Sequence, residues 1–226
     1  MLSKPVKQIT IADVQALITD AVPEGRTVDY KLALPGASDA EMKEFLADVS
    51  SFANTAGGDL LLGVSEDKGV PTKTVGLTEP NEDGAILRLE NAIRDGLEPR
   101  IQAELRFFGD AGGPRLLIVR VKRSWLQPHR VIYKGHDKFY ARNSAGKYQM
   151  DTSELRAAFT AADRVYQHVG EFVRRRLGEL AANATPLPFQ AGPKVVLHLI
   201  PLEAFTPGTT PEKILADLTA LYQANK

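Results

Sequence analysis

The chain contains no cysteine. Disulfides, thiolate metal sites and a cysteine nucleophile are therefore excluded, although the compartment is not fixed by this alone. No run of apolar residues approaches the roughly 18 needed to span a bilayer. The opening stretch, MLSKPVKQITIADVQALITD, lacks both the uninterrupted apolar core and the small-residue cleavage site of a signal peptide. These absences lead to the expectation of a cytoplasmic chain with no membrane partner. Net charge is missing too, since 28 Lys and Arg balance 28 Asp and Glu, so nothing at whole-chain level announces a polyanion partner. His129, His136, His168 and His198 show no paired spacing for a metal, and there is no G-x-S-x-G nucleophile turn.

What is present is ordinary globular material: 226 residues, 43% apolar and 25% charged, enough for one large domain or for one domain with an appendage. Val14, Leu17, Ile18 and Ala21 recur at helical spacing behind Thr10, which predicts a helix over 11–21. Residues 26–34 alternate, with Val28, Tyr30, Leu32 and Leu34 on one face and Asp29 and Lys31 on the other, as in a half-buried strand. Ser38 and Glu41 form a capping-box pattern ahead of a helix over 39–54 that stops at Gly57-Gly58. Leu60–Val64 is apolar throughout, as expected for a central strand buried on both faces. Ser65–Gly69 reads as a polar turn, 70–77 as an edge strand, and Asn81 as the cap of a helix carrying Ile86, Leu89, Ile93 and Leu97.

Strands over 101–108 and 115–121 follow, then a hairpin pairing 130–133 with 138–142 around Gly135-His136-Asp137. A helix from Asp151 carries Leu155, Ala158, Phe159 and Ala162 inward. A basic helix over 163–182 buries Val165, Val169, Phe172, Val173, Leu177 and Leu180. A linker over 185–193, a strand over 195–200 and a helix over 211–223 complete the chain. The fold class predicted is α+β, a mixed β-sheet flanked by helices with a C-terminal helix-strand-helix extension. The expected division is an N-terminal helix (1–21), a main domain (22–162), and an extension (163–226) that begins a second domain.

The segment Phe52-Ala53-Asn54-Thr55-Ala56-Gly57-Gly58, ending a helix and followed by Leu60-Leu61-Leu62-Gly63-Val64, resembles the signature of the Schlafen AlbA-2 family. The resemblance extends upstream to Glu24 and Val28-Asp29-Tyr30-Lys31, and downstream to Phe139-Tyr140-x-Arg142 and the 155–159 helix, about 22–160 in all. It implies a domain that binds DNA or RNA in a regulatory or defence-type protein. The family is often described as nucleotide-binding, so ATP is a further alternative, yet neither G-x-x-x-x-G-K-[ST] nor G-x-G-x-x-G after a strand is present.

Local charge agrees with a nucleic-acid partner and needs no cofactor. Between Arg120 and Met150 eight basic residues face one acid, Asp137. Arg120, Lys122, Arg123, Arg130, Lys134, Lys138 and Arg142 are the expected phosphate contacts, with Trp125 and Tyr140 placed to stack on bases. The competing expectation is a solvated surface compensated by the acidic 79–98 segment. The resemblance also implies a second chemistry, since some Schlafen-type domains are metal-dependent nucleases built on E-x-x-x-x-[E/D]-x-K and a third acid. Here Glu24-x-x-x-x-Asp29-x-Lys31 matches the first part, with Glu24 and Asp29 as ligands for Mg²⁺ or Mn²⁺. Ser65 stands where the third acid is expected, leaving Glu66 or Asp67 to substitute. A third expectation is a scaffold that forms a homodimer through the 163–226 extension.

Overall fold

The computed structural model describes residues 1–110 and 112–184, together with 192, 195 and 197. In chain order it contains α1 (Ile11–Thr19), β1 (Val28–Lys31), α2 (Asp39–Ala53), β2 (Gly58–Leu62), β3 (Val64–Asp67), β4 (Val70–Thr74) and α3 (Glu82–Gly96). These are followed by β5 (Leu97–Glu98), β6 (Ala103–Phe108), β7 (Leu116–Val121), β8 (Arg130–Val131), β9 (Lys138–Asn143), β10 (Gly146–Gln149) and α4 (Thr152–Ala181). The α+β class with mixed sheets and flanking helices is what the patterning predicts. The chain divides into two compact units, Met1–Ala158 and Phe159–Lys226.

In the first unit the main sheet has the order β1-β2-β7-β6, with β1 parallel to β2 and the other pairs antiparallel. Side chains alternate across it. Leu60, Leu62, Leu117, Val119 and Val121 face α2 and α3, whereas Tyr30, Leu61, Leu116 and Ile118 face the N-terminal segment and α1. A second sheet, ordered β10-β9-β8-β5, packs on α2, which also touches the main sheet. Every residue from Phe45 to Ala53 is consequently buried. A helix with no solvent face has nowhere to put a polar side chain except inside the protein, and Asp48, Ser50 and Ser51 are inside. Ser38 caps this helix by accepting from the Glu41 N–H at 3.3 Å, and Asn81 caps α3 by accepting from Gly84 at 2.9 Å.

Several expectations need correction. β1 stops at Lys31, so Leu32 falls outside the alternation and is 57% exposed, while Asp29 is buried rather than solvent-facing. Ser65, Glu66 and Asp67 are not a turn at the end of β2. Gly63, with φ at +96°, breaks the chain direction, and the three residues enter the β3–β4 hairpin, turned by Lys68 and Gly69 at positive φ. The two helices expected after Asp151 are one continuous helix, on which Phe159 and Leu177 are exposed. The side chains of Ala162 and Val165, the 195–200 strand as an element, and the 211–223 helix lie outside the described residues. Among those described, no helix is long and apolar enough to cross a membrane.

The Asn54–Gly58 turn packs backbone against backbone. A Cβ on Gly57, whose φ is +73°, would stand 2.7 Å from the Arg123 nitrogen and 2.8 Å from the Val121 oxygen. Gly135 has a similar φ of +75° but open space around it. Gly57→Ala is therefore expected to cost about 2–4 kcal/mol, and Gly135→Ala only the conformational part, about 1 kcal/mol. Urea denaturation of the two variants checks the difference.

Candidate functional site

The family-like turn is a bracket for the strands that follow it. Asn54 donates to the carbonyls of His129 (2.8 Å) and Tyr140 (2.9 Å) and accepts from the His129 N–H at 2.7 Å. Thr55 Oγ1 accepts from the Arg142 N–H at 2.9 Å, and the Ser124 N–H donates to the Ala53 carbonyl at 2.9 Å. Asn54, buried at the helix end, thus makes three hydrogen bonds to the backbone at His129 and Tyr140.

The basic residues of the 120–142 segment do not form one outward-facing ribbon. Arg120 is buried, pairs with Asp59 at 2.6 Å and donates to the Leu2 carbonyl at 2.9 Å, fastening the N-terminus to the main sheet. Arg142 is buried as well. Arg130 is divided between Glu98 (2.6 Å) and Asp137 (3.1 Å), and Lys134 pairs with Asp39 at 2.6 Å. Lys138, Tyr140 and Arg142 share one side of β9, and Tyr140 there packs against the core and binds His136 through its hydroxyl at 2.8 Å. Position along the strand decides the outcome: on one side of β9, Lys138 at the start is exposed, whereas Arg142 near the end is covered and paired with Asp29 and Asp48, which is why the composition overstated the surface.

A smaller set remains outward. Lys122 has an 80% exposed side chain with Glu104 at 3.8 Å. Arg123 is exposed, has no carboxylate partner among the described residues, and lies over the Trp125 ring at 5.0 Å. Lys138 is exposed in β9. Lys122 also lines a cavity of about 640 Å³ between α3 and β6, together with Arg94, Arg100 and Gln102.

The acids of the E-x-x-x-x-D-x-K pattern come together, but in a buried ion network. Arg142 donates from Nε to the Gly25 carbonyl (2.9 Å), from Nη1 to Asp48 and Ser51 (both 3.4 Å), and from Nη2 to Asp29. Lys31 donates to the other Asp29 oxygen at 2.8 Å. Lys147 reaches Asp48 at 2.9 Å and Glu44 at 2.7 Å. Burial pushes the Asp29 carboxyl upward, but Arg142 and then Lys31 hold it below the usual carboxylate range. Asp48 is pushed up by burial and by Asp29. Glu24 accepts from the Tyr30 N–H at 3.0 Å, and burial followed by the Asp29 charge raises it to about 7.

Glu66 turns back to its own hairpin by accepting from the Gly69 N–H, and Asp67 pairs with Val70 across it. Among the described residues no three His, Asp or Glu side chains gather to hold a metal ion. The sequence reading missed Asp48, Glu44 and Lys147. The signal for Asp48 was available in Phe45-Leu46-Ala47-Asp48-Val49, a helical run too apolar around the acid to have a wet face.

Two outcomes follow. Arg142→Gln leaves Asp29 and Asp48 undercompensated in the interior and should cost about 3–5 kcal/mol of stability in denaturant titration. For Glu24, the folded state keeps its proton to about pH 7 whereas the unfolded chain releases it near 4.5. The folded state thus binds more protons across that window, and stability falls as pH rises through it. Glu24→Gln should remove this slope, gaining roughly 1 kcal/mol on the wild type between pH 5 and 7.5 after allowance for partial solvent screening. Thermal melts at several pH values check it.

The family model described as Schlafen, AlbA_2 matches residues 24–151. Among solved structures, the DIP2311 protein from Corynebacterium diphtheriae is similar at 19% identity and a TM-score of 0.42, over 64% of this chain and 27% of that one. The N-terminal domain of a RecG-related protein from Nitrosomonas europaea is similar at 26% identity and a TM-score of 0.41, over 57% of this chain and 86% of that one. The chain thus spans about a quarter of the first of these proteins. Among curated proteins no relative matches. With more than half of its length matched by one family model, the chain belongs to the Schlafen AlbA-2 family.

Proposed function

We propose that the domain binds nucleic acid bearing unpaired bases, through the loop after β7 and the adjoining α3–β6 cavity. The observation that carries this reading is the Arg123 guanidinium lying over the Trp125 ring, 5.0 Å from its centroid. An arginine on an indole offers a cation and a planar surface in one place, which suits a phosphate and the base beside it. The loop is held by the close approach of Gly57 and by the Ser124–Ala53 hydrogen bond, so little ordering remains to be done on binding. Lys122, Arg94 and Arg100 line the adjoining 640 Å³ cavity together with Glu90 and Glu104, so the charge there is mixed and the loop cation is the principal phosphate contact. The AlbA-2 resemblance supports the same partner class.

A metal-dependent nuclease is the second reading, favoured by the meeting of Glu24 with Asp29. The donor set does not suit a divalent ion: both Asp29 oxygens are taken by cationic side chains, and Glu66 and Asp67 belong to a separate hairpin.

Fluorescence anisotropy with labelled single- and double-stranded DNA and RNA, over a salt series with and without Mn²⁺, tests both readings. Lys122→Glu with Arg123→Glu should weaken binding at least tenfold and reduce the salt slope by about one to two. Lys134→Glu, already neutralised by Asp39, should change little. Salt-independent binding, or equal effects of the two changes, would refute the interface. Mn²⁺-dependent cleavage abolished by Glu24→Gln would establish the nuclease.

A further inference from the structure

The hydrogen-bond pattern of the main sheet fixes which backbone groups of its two edge strands point outward. The Asp59 N–H donates to the Thr27 carbonyl at 3.0 Å and the Gly63 N–H to the Lys31 carbonyl at 2.8 Å. Asp59 and Leu61 of β2 therefore turn their backbone groups to β1, and Gly58, Leu60 and Leu62 turn theirs to β7. The register then directs Leu116, Ile118 and Arg120 of β7 to Phe108, Arg106 and Glu104 of β6. Ala103, Leu105 and Phe107 are left with N–H and C=O aimed away from the sheet. At the opposite edge the chain covers such groups itself. The Tyr30 N–H of β1 donates to the Glu24 carboxylate at 3.0 Å, and the Val28 carbonyl accepts from the Gly25 N–H at 3.0 Å. Among the described residues nothing covers β6 in this way.

An edge of this kind, with no proline and no bulge along its length, is a template for a further strand. The side chains select another copy of β6. When two β6 strands pair antiparallel about a two-fold axis at Leu105, Ala103 exchanges both backbone hydrogen bonds with Phe107 of the second copy, and Leu105 with its own equivalent. Glu104 then stands opposite Arg106 of the second copy, on both sides of the axis, at the closely spaced non-hydrogen-bonded positions. An axis at Glu104 or at Arg106 sets like charges face to face instead. The Glu104 side chain is 55% exposed, with Lys122 no closer than 3.8 Å. Arg106 spends Nη1 on the carbonyls of Val6 (2.6 Å) and Ile9 (3.1 Å), leaving Nε and Nη2 for a carboxylate. On the other face of the strand, half-buried Leu105 meets its equivalent beside Leu87 of α3, which is 59% exposed and lines the cavity along this edge.

We propose that β6 is the interface of a homodimer, in which the main sheet continues through its two-fold equivalent into that of a second copy. The backbone ladder supplies the attachment, and the paired Glu104 and Arg106 side chains supply the register. The surface is self-complementary, as a two-fold interface requires. The Arg123–Trp125 loop follows Val121, which lies beside Ala103 at the start of β6, so the dimer carries one such loop at each end of the ladder. Association does not depend on nucleic-acid binding.

Sedimentation equilibrium and light scattering on the full chain, without nucleic acid, test it. The wild type should have twice the mass of one chain. Glu104→Arg, at an exposed position, should raise the dimer dissociation constant about tenfold or more, because arginine then faces arginine on both sides of the axis. Arg106→Glu should do the same, with folding checked by circular dichroism because Arg106 also holds the N-terminal segment. Mixed in equal amounts, the two variants should re-form a dimer of near wild-type affinity, since every arginine then faces a glutamate. Ala103→Pro removes an outward N–H without touching the β7 ladder, and should weaken the dimer about fivefold or more. A wild type that stays monomeric, a dimer indifferent to Glu104→Arg or to Ala103→Pro, or a folded variant pair that does not re-form overturns the proposal.

Discussion

The interaction on which the first unit depends is the fork of Arg142 between Asp29 and Asp48. One guanidinium joins β9 of the second sheet to β1 at the edge of the main sheet and to α2 between them. It also lies over the Phe52 ring at 4.2 Å, so its apolar face is packed while its edge is hydrogen-bonded. Hydrophobic contact would hold these three elements together without saying how far one may slide along another. A forked donor has a fixed geometry, and it sets the register. Lys31 and Lys147 complete the compensation from either side, which is what makes two interior carboxylates tolerable.

Much of the architecture was legible in the sequence. Ser38 and Glu41 marked the start of α2, Asn81 the start of α3, and the continuous run Leu60-Leu61-Leu62 the strand buried on both faces. Local rules govern each of these, and the nearest residues suffice. What failed depended on partners distant in the chain. Arg142 and Arg120 looked like surface charge because Asp29, Asp48 and Asp59 lie some 60 to over 110 positions away. Alternation within 26–34 could not tell that the non-core face of β1 would be covered by α2 and β9. The run of basic residues was real as composition but not as a surface, because distant carboxylates draw Arg120 and Arg142 inside while Lys122 and Lys138, two and four positions away on the same faces, stay outside.

Two surface features shaped by α2 differ in kind. The Arg123–Trp125 loop is exposed and braced by backbone contacts, a rigid cation and ring facing solvent. A cavity beside Asp48 is open to solvent at Leu32 and Glu44, and its acids are compensated by Lys147 and Arg142. Both owe their shape to α2: its C-terminal turn positions the loop, and its buried middle supplies the acid.

That α2 is enclosed by both sheets also constrains how the chain can assemble. The parallel pair β1–β2 spans the helix, so these three elements can meet early, through contacts at short range in the chain. The second sheet is contributed by residues from 97 onward, and until it docks the middle of α2 has one side open to water, with Asp48 hydrated there. Seating β9 and β10 strips that hydration and supplies Arg142 and Lys147 in its place. Closing the second sheet over α2 is thus a dehydration of charge as well as a burial of apolar surface.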